Sequence, residues 1–178
     1  IIRGLVGSEM CIRDRAVAIA LKNHPAVNSS WLEDRIRYNE HIHIGVAVAV
    51  EDGLLVPVVR HANAKTFGEI GTEVRDFAQK AKDKKLQPSD WEGNTFTISN
   101  LGMFGIEDFT AIINPPDACI LAVGGIQNVP VMKDGAVVPG HTMKVTLSCD
   151  HRVVDGATGA AFLNEVKQNL EPPVLMLV

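Results

Sequence analysis

The sequence predicts a mixed α/β domain of the α+β type, in which helices cover one face of a mixed β-sheet. Pairs of β-rich segments are followed by single helical segments, which is the order expected when helices pack on a sheet. The run Cys119–Val123 is continuously apolar, which is typical of a strand buried on both faces. A chain of 178 residues suits one domain with a single core.

The first predicted elements are a short helix and a strand pair. Residues 16–22 have a helical pattern, and this helix is expected to end before Pro25 because the residue preceding a proline disfavours helical backbone. Residues 41–50 are rich in β-formers. Asp52-Gly53 supplies a turn, so residues 54–59 are predicted to return as a second strand.

The clearest helix begins at Thr66, which forms a capping-box pattern with Glu69. The lysine-rich residues 80–85 are predicted to form its exposed end. Apolar residues recur on one face at helical spacing, and they are Phe67, Ile70, Val74, Phe77, Ala78 and Ala81.

The second half of the chain predicts more strands and a last helix. A helix is expected after Asp155, with Phe162, Leu163, Val166 and Leu170 on one side, and Glu171-Pro172-Pro173 is expected to stop it. The strands are expected at residues 95–99, 119–123 and 143–149 and in a hairpin of residues 129–132 and 137–138, with a glycine loop at residues 102–105.

Composition excludes several classes of protein. With 17 basic and 21 acidic residues the chain has no basic face for phosphates, so a nucleic-acid partner is not expected. Apolar stretches fall far short of the roughly 20 residues that a membrane span needs. Cys11, Cys119 and Cys149 form no CxxC pair and are interpreted as reduced thiols of a cytoplasmic or mitochondrial-matrix protein.

The segment Asp150–Ala157, DHRVVDGA, holds the most informative side chain. It places His151 on a short turn between a strand and a helix, with Asp155 positioned to cap that helix. An imidazole titrates near neutral pH and can act as a general base. Taken alone, a histidine in such a turn is more often structural.

The surrounding motifs resemble the dihydrolipoyl acyltransferases of 2-oxo acid dehydrogenase complexes, a family to which the chloramphenicol acetyltransferases are related. The resemblance runs from about residue 16 to residue 178. Within the family, the motif SNLGMFG at residues 99–105 is most similar to that of the acetyl-transferring members in pyruvate dehydrogenase complexes. Besides the octet, it rests on HPAVN at 24–28, GLLVPVV at 53–59, TFTISNLGMFG at 95–105 and IINPP at 112–116.

The resemblance implies the coenzyme A-dependent acyltransferase fold and transfer of an acetyl group from dihydrolipoamide to coenzyme A. It implies that His151 is the base and that Ser99, 52 residues earlier, donates to the oxyanion. The alternative for Ser99 is a local backbone hydrogen bond that closes the strand. Asp155 can cap the helix and can also orient the His151 loop. Arg152 is a candidate substitute for an arginine that the family places in its opening segment.

Other candidates are weaker. Leu101, Met103 and Phe104 either line a channel for the lipoyl arm or pack in the core. No phosphate-binding loop is present, so recognition of coenzyme A rests on the resemblance. A metal site is not expected: Cys149 and His151 alternate along an extended run, and His41 and His43 are interpreted as partly exposed strand residues.

The two ends of the chain carry further expectations. Residues 1–15 are interpreted as a non-native leader, and residues 16–178 as a catalytic domain that lacks its opening helix and strand; the lipoyl group is carried elsewhere. The apolar tail Val174–Val178 predicts a partner surface.

The resemblance implies a homotrimer assembled into a 24- or 60-subunit core, with pyruvate dehydrogenase and dihydrolipoyl dehydrogenase subunits as partners. Two alternatives stay open. One is a succinyl or branched-chain acyltransferase, and the other is a non-catalytic structural core subunit.

Overall fold

The computed structural model describes residues 9–51 and 53–171. The described part of the chain forms these elements in order: α1 Glu9–Asn23, β1 Ser29–Leu32, β2 Arg35–Tyr38, β3 Ile44–Val46, β4 Val48–Val50, β5 Gly53–Leu55, β6 Val58–Val59, α2 Phe67–Lys82, α3 Pro88–Trp91, β7 Phe96–Asn100, β8 Cys119–Val123, β9 Gln127–Lys133, β10 Ala136–Thr142, β11 Val145–Cys149 and α4 Gly156–Leu170.

A five-stranded mixed sheet organises the molecule, in the order β11-β8-β7-β3-β6. The central strand β7 runs parallel to both β3 and β8, whereas β6 and β11 are antiparallel to their neighbours. Helix α4 packs on this sheet through Phe162, whose ring lies 5.6 Å from that of Phe96, and α1 packs against α4 and α2. The predicted fold class, a mixed sheet with helices, is confirmed.

Helix α2 forms as its sequence predicts. The Thr66 hydroxyl accepts a hydrogen bond from the Glu69 backbone N–H (3.3 Å), and the Glu69 carboxylate accepts one from the Thr66 N–H (2.7 Å). This reciprocal pair satisfies backbone donors that a helix start leaves open. The predicted apolar face is turned to the core, with Ile70, Val74, Phe77 and Ala81 buried.

Helix α1 spans Glu9–Asn23, so the helix expected at residues 16–22 starts seven residues too late and ends one residue too early. The added residues include an ion pair, Arg13 to Asp14 (2.5 Å), that is almost fully buried. Oxygen Oδ2 of Asp14 has no partner, and burial raises the pKa of this carboxyl despite Arg13. A buried and half-satisfied ion pair is a conflict between local sequence and fold. The non-native origin of residues 1–15 stays a prediction.

The expected strand pair of residues 41–50 and 54–59 divides into four short strands. β3 and β6 belong to the main sheet, whereas β4 and β5 form a separate two-stranded ladder. Pro57 lies between β5 and β6, and it cannot donate to a ladder because it lacks an N–H. The hairpin of β1 and β2 and the short helix α3 were not predicted, since both are too short to show a period.

The remaining elements agree with their prediction, with changed ends. β8 is buried along its whole length, and β9 and β10 extend the predicted hairpin on both sides. Pro172, Pro173 and the tail Val174–Val178 lie outside the described residues. None of the helices in residues 9–51 and 53–171 has the length and apolar character needed to cross a membrane.

Candidate active site

His151 sits at the tip of a tight turn that its own backbone holds in place. The Asp150 N–H donates to the Ala118 carbonyl (2.8 Å), which fixes the end of β11 to the start of β8. The N–H groups of Val153 and Val154 both donate to the Asp150 carbonyl at 2.9 Å. Val154 is buried in the core, whereas the His151 side chain is exposed. The turn therefore anchors the backbone and presents the imidazole to the surface.

Asp155 closes the turn as the N-cap of α4. Its carboxylate accepts hydrogen bonds from the Thr158 N–H (2.8 Å) and the Thr158 hydroxyl (3.2 Å). The N–H of Thr158, with smaller contributions that include the charge of His151, holds the pKa of Asp155 below its usual range. The capping role that the sequence predicts is thus present in the structure.

Arg152 points away from the cap. Its guanidinium binds the Asp150 carboxylate (2.6 Å) and stacks over the ring of Trp31 at 5.1 Å. Hydrogen bonds from Arg152 hold the pKa of Asp150 below its usual range. Arg152 therefore stabilises the turn through Asp150. Sequence reasoning missed this role of Asp150, and it missed the contact with Trp31 because that contact joins residues more than 100 positions apart in the chain.

Ser99 lies near the end of β7, paired in register with Ala122, and its side chain is half-buried. Thr97, two residues earlier, shares its face of the strand. Thr97 belongs to a buried network in which its hydroxyl and the Asn94 amide each donate to the Asp117 carboxylate at 2.6 Å. This network ties β7 to the segment before β8, and so it supports the strand that carries Ser99.

Asp117 is a residue that sequence reasoning missed. Burial raises its pKa to about 6, although the hydrogen bonds from Thr97 and Asn94 oppose that shift. Its Oδ1 atom has no hydrogen-bond partner. The available signal was an acidic residue two positions before the wholly apolar strand β8.

The loop after Ser99 is held close to the sheet but exposes large apolar side chains. A Cβ at Gly102 would stand 2.8 Å from the Gly124 carbonyl oxygen, and Gly105 has a φ of +77°, so both positions require glycine. Leu101 is half-buried, whereas Met103 and Phe104 are 73% and 62% exposed. The alternative that Met103 and Phe104 pack in the core of their own chain is therefore wrong.

Ser99 and His151 lie at opposite ends of the sheet. The register across β8 places Ser99 level with Thr146 of β11, three residues before that strand ends at Cys149. At strand spacings of about 4.8 Å and rises of about 3.3 Å per residue, Cys149 is roughly 10 Å across and roughly 10 Å along from Ser99, and His151 lies beyond it. The two side chains of one chain cannot contact the same reacting group.

The alternative metal and cysteine sites find little support. The sulfur of Cys149 lies beside Gly159 of α4 and contacts Cys119, which sets it in the sheet–helix interface. His41, His43 and His61 cluster with ring centroids 4.7 to 5.9 Å apart. Within residues 9–51 and 53–171, no group of three or more histidine, cysteine or acidic side chains is arranged to hold a metal ion.

The fold places the chain in the class of chloramphenicol acetyltransferase-like proteins. A chloramphenicol acetyltransferase superimposes with a TM-score of 0.54 at 17% identity, over 92% of this chain and 78% of that one, a likeness of fold alone. Residues 10–178 match the model of the 2-oxoacid dehydrogenases acyltransferase (catalytic domain). The chain belongs to this acyltransferase family.

Named relatives agree with this assignment. The dihydrolipoyllysine-residue acetyltransferase component of the Rickettsia felis pyruvate dehydrogenase complex is 51% identical over 163 residues, which are 92% of this chain and 40% of that protein. The mitochondrial counterpart from Caenorhabditis elegans is 49% identical over 92% of this chain and 33% of its own length. The chain thus spans about two fifths or less of the length of these relatives.

Two solved structures superimpose closely. The cubic core of a pyruvate dehydrogenase multienzyme complex gives a TM-score of 0.93 at 35% identity, over 98% of this chain and 73% of that one. The Azotobacter vinelandii dihydrolipoamide acetyltransferase gives 0.92 at 35% identity, over 96% and 71%. The latter comes from an investigation of one serine, one histidine and one asparagine in its catalytic mechanism; the serine lies 52 residues before the histidine and the asparagine four after it.

Proposed function

We propose that this domain transfers an acetyl group from S-acetyldihydrolipoamide to coenzyme A. The observation that carries the proposal is the spacing in sequence of three candidate site residues. Ser99 precedes His151 by 52 residues and Asp155 follows it by four, as do the serine, histidine and asparagine investigated in the Azotobacter vinelandii enzyme. The one difference is an aspartate at the third position.

In this mechanism the exposed imidazole of His151 removes the proton from the coenzyme A thiol, because the thiolate is the nucleophile. The thiolate attacks the thioester carbonyl, and the oxygen of the tetrahedral intermediate accepts a hydrogen bond from the Ser99 hydroxyl. The carbon–sulfur bond to dihydrolipoamide then breaks. The protonated His151 returns its proton to the leaving thiolate, so no acyl-enzyme forms.

The opposite placement of Ser99 and His151 in one chain leads us to place each active site between two subunits of a trimer. One subunit supplies His151 from its exposed turn, and its neighbour supplies Ser99 from the end of β7. The neighbour also covers the exposed Met103 and Phe104, which line the approach of the lipoyl arm together with Leu101. A surface of this kind is costly to leave in water.

Subunit complementation tests this arrangement. His151→Ala and Ser99→Ala proteins, each nearly inactive, are denatured together, refolded at equal ratio and assayed for acetyl transfer. Random assortment in a cyclic trimer restores about a quarter of the sites, because each site takes one residue from each of two chains. Parallel refolding of each variant alone is the control. Activity that stays at the level of the single variants would place both residues in one chain and overturn the shared site.

We further propose that trimers join into a hollow core of 24 or 60 subunits. Pyruvate dehydrogenase and dihydrolipoyl dehydrogenase subunits are its partners, in the bacterial cytoplasm or the mitochondrial matrix. Support comes from the cubic core structure. Deleting residues 175–178 should leave active trimers that do not assemble. A large particle that persists in light scattering without those residues would locate the contact elsewhere.

A further inference from the structure

Cys119 and Cys149, thirty residues apart in sequence, lie directly opposite each other in the structure. They are register partners in the antiparallel pair of β8 and β11. Because the Asp150 N–H donates to the Ala118 carbonyl at 2.8 Å, the cysteine pair occupies a position between ladder hydrogen bonds. Residues at such positions have Cα atoms about 4.5 Å apart, within the range of about 4.4 to 6.8 Å that a disulfide spans.

The two thiols face the same side of the sheet and interact. The sulfur of Cys149 lies 3.5 Å from the point where a Cβ on Gly159 would stand, so the pair sits beneath helix α4. Cys119 is fully buried, whereas Cys149 is half-buried. The contact between the two thiols raises the pKa of Cys119, which burial raises further, and lowers the pKa of Cys149. Cys149 therefore ionises first and is the more accessible of the two.

We propose that Cys119 and Cys149 form a reversible redox pair, which hydrogen peroxide converts into a cross-strand disulfide. The Cys149 thiolate attacks one peroxide oxygen, the O–O bond breaks, and a sulfenic acid and hydroxide result. The Cys119 sulfur then attacks the sulfenic sulfur, and the hydroxyl group leaves with the Cys119 proton as water. Overall one peroxide and two thiols give one disulfide and two waters.

The position of the pair gives this chemistry a consequence. Cys149 lies two residues before His151, and α4, which covers the pair, begins directly after Asp155. Closing the contact between the two sulfurs to a bond changes how the Cys149 side chain packs against α4, and both ends of the His151 turn are attached to β11 and α4. We expect oxidation to lower acetyl transfer reversibly. This consequence rests on the proposed function, whereas formation of the disulfide does not.

Peptide mapping of the folded wild-type chain tests the disulfide. Trypsin separates the three cysteines into peptides 4–13, 86–133 and 145–152. After peroxide treatment, peptides 86–133 and 145–152 should be joined with the loss of two hydrogens, and dithiothreitol should release them. Thiols that react with an alkylating agent after denaturation should fall from three to one. Sulfinic acid on Cys149 with Cys119 still alkylatable would overturn the proposal, as would a link between two different chains.

Variants separate the disulfide from its consequence. Cys149→Ser should keep Cys119 reduced under the same treatment, and Cys11→Ala, the matched control, should form the link as the wild type does. Activity should fall on oxidation and recover with dithiothreitol in the wild type and in Cys11→Ala, but should be unaffected by peroxide in Cys149→Ser. A disulfide that leaves turnover unchanged overturns the regulatory consequence. Equal loss in Cys149→Ser assigns the loss to another residue and overturns it as well.

Discussion

The His151 turn and the Ser99 strand end position their side chains in opposite ways. The His151 turn is held mainly by hydrogen bonds among neighbours in sequence, from Asp150 to Thr158, with one anchor from the Asp150 N–H to the Ala118 carbonyl, and the His151 side chain is exposed. Ser99 belongs to the central strand of the sheet, where the network of Thr97, Asn94 and Asp117 supports it. One position depends on a local turn, and the other depends on the whole sheet.

Under the proposed function, this difference means that one chain carries each half of the site at a separate place. Each region has its own hydrogen bonds within a single chain, yet the two lie at different ends of the sheet. Substitutions of exposed side chains in the His151 turn should change chemistry without affecting folding. Substitutions near Ser99 should affect chemistry or stability according to whether the side chain belongs to the surface or to the buried network.

The largest effect is expected for His151→Ala. Loss of a general base lowers turnover by about a hundredfold or more, and the acidic limb of the pH–rate profile should disappear. Because the side chain is exposed, the melting temperature should stay within a degree or two of the wild type, as for most surface substitutions. His141→Ala, an exposed histidine of β10, is the control. A folded variant with near wild-type turnover removes His151 from the mechanism.

Ser99→Ala should lower kcat by about a hundred- to a thousandfold with little change in KM, since an oxyanion donor acts mainly in the transition state. Steady-state kinetics with S-acetyldihydrolipoamide and coenzyme A measure both constants. Ser89→Ala in α3 tests for unspecific effects of removing a hydroxyl. If the main change is a higher KM for the dihydrolipoyl substrate, Ser99 is a binding residue.

The sequence predicts the local features of this molecule well. The Thr66 capping box, the buried strand β8 and the Asp155 cap each depend on a few adjacent residues, and all three are present. Apart from elements too short to show a period, such as α3, the features that it did not predict depend on contacts between distant segments. The Asp117 network joins β7 to the segment before β8, and the pairing of Cys119 with Cys149 follows from strand register.

The candidate site shows the same division. Ser99, His151 and Asp155 could be identified as candidate site residues from sequence motifs, because acyl transfer to a thiol uses a base and an oxyanion donor of those residue types. The separation of Ser99 and His151 across the sheet could not be predicted, since it follows from the strand order β11-β8-β7 and from the direction of each strand. Helix α1 is a further case: a proline marks its end clearly, whereas its start at Glu9 falls within residues 1–15, which from the sequence are interpreted as a non-native leader.

A smaller effect, on stability, is expected for Asp117→Asn. The pKa of Asp117 is raised from 3.8 to about 6 in the folded protein, so between these pH values the folded carboxyl keeps a proton that the unfolded chain has lost. Stability therefore falls as the pH rises from about 4 to about 6, by up to about 3 kcal/mol. The variant should lack this fall. The unfolding free energy of the variant minus that of the wild type should therefore increase between about pH 4 and about pH 6 and then level off. Chemical denaturation at a series of pH values measures it.

The contrary result has a clear meaning for Asp117. A constant difference between the two proteins from pH 4 to pH 7 would show that the carboxyl is not held protonated by burial. Thr97→Val is the matched comparison, since it removes one donor to the same carboxylate and should extend the fall in stability to higher pH.

The smallest effects are expected at Asp155. Asparagine caps helices about as well as aspartate does, so Asp155→Asn should keep turnover within about threefold of the wild type. Asp155→Ala leaves the Thr158 N–H without its partner and loosens the start of α4. A less well-positioned His151 should then lower kcat on the order of tenfold.

The pH dependence of the two variants sharpens this prediction. Because hydrogen bonds from Thr158 lower the pKa of Asp155 in the folded state, the carboxylate cap stabilises the protein above the unfolded pKa and is lost as the pH falls through the folded one. The asparagine cap carries no such dependence. Melting temperatures below about pH 4 should therefore fall more steeply for the wild type than for Asp155→Asn. Equal turnover of the alanine and asparagine variants would mean that the cap does not position His151.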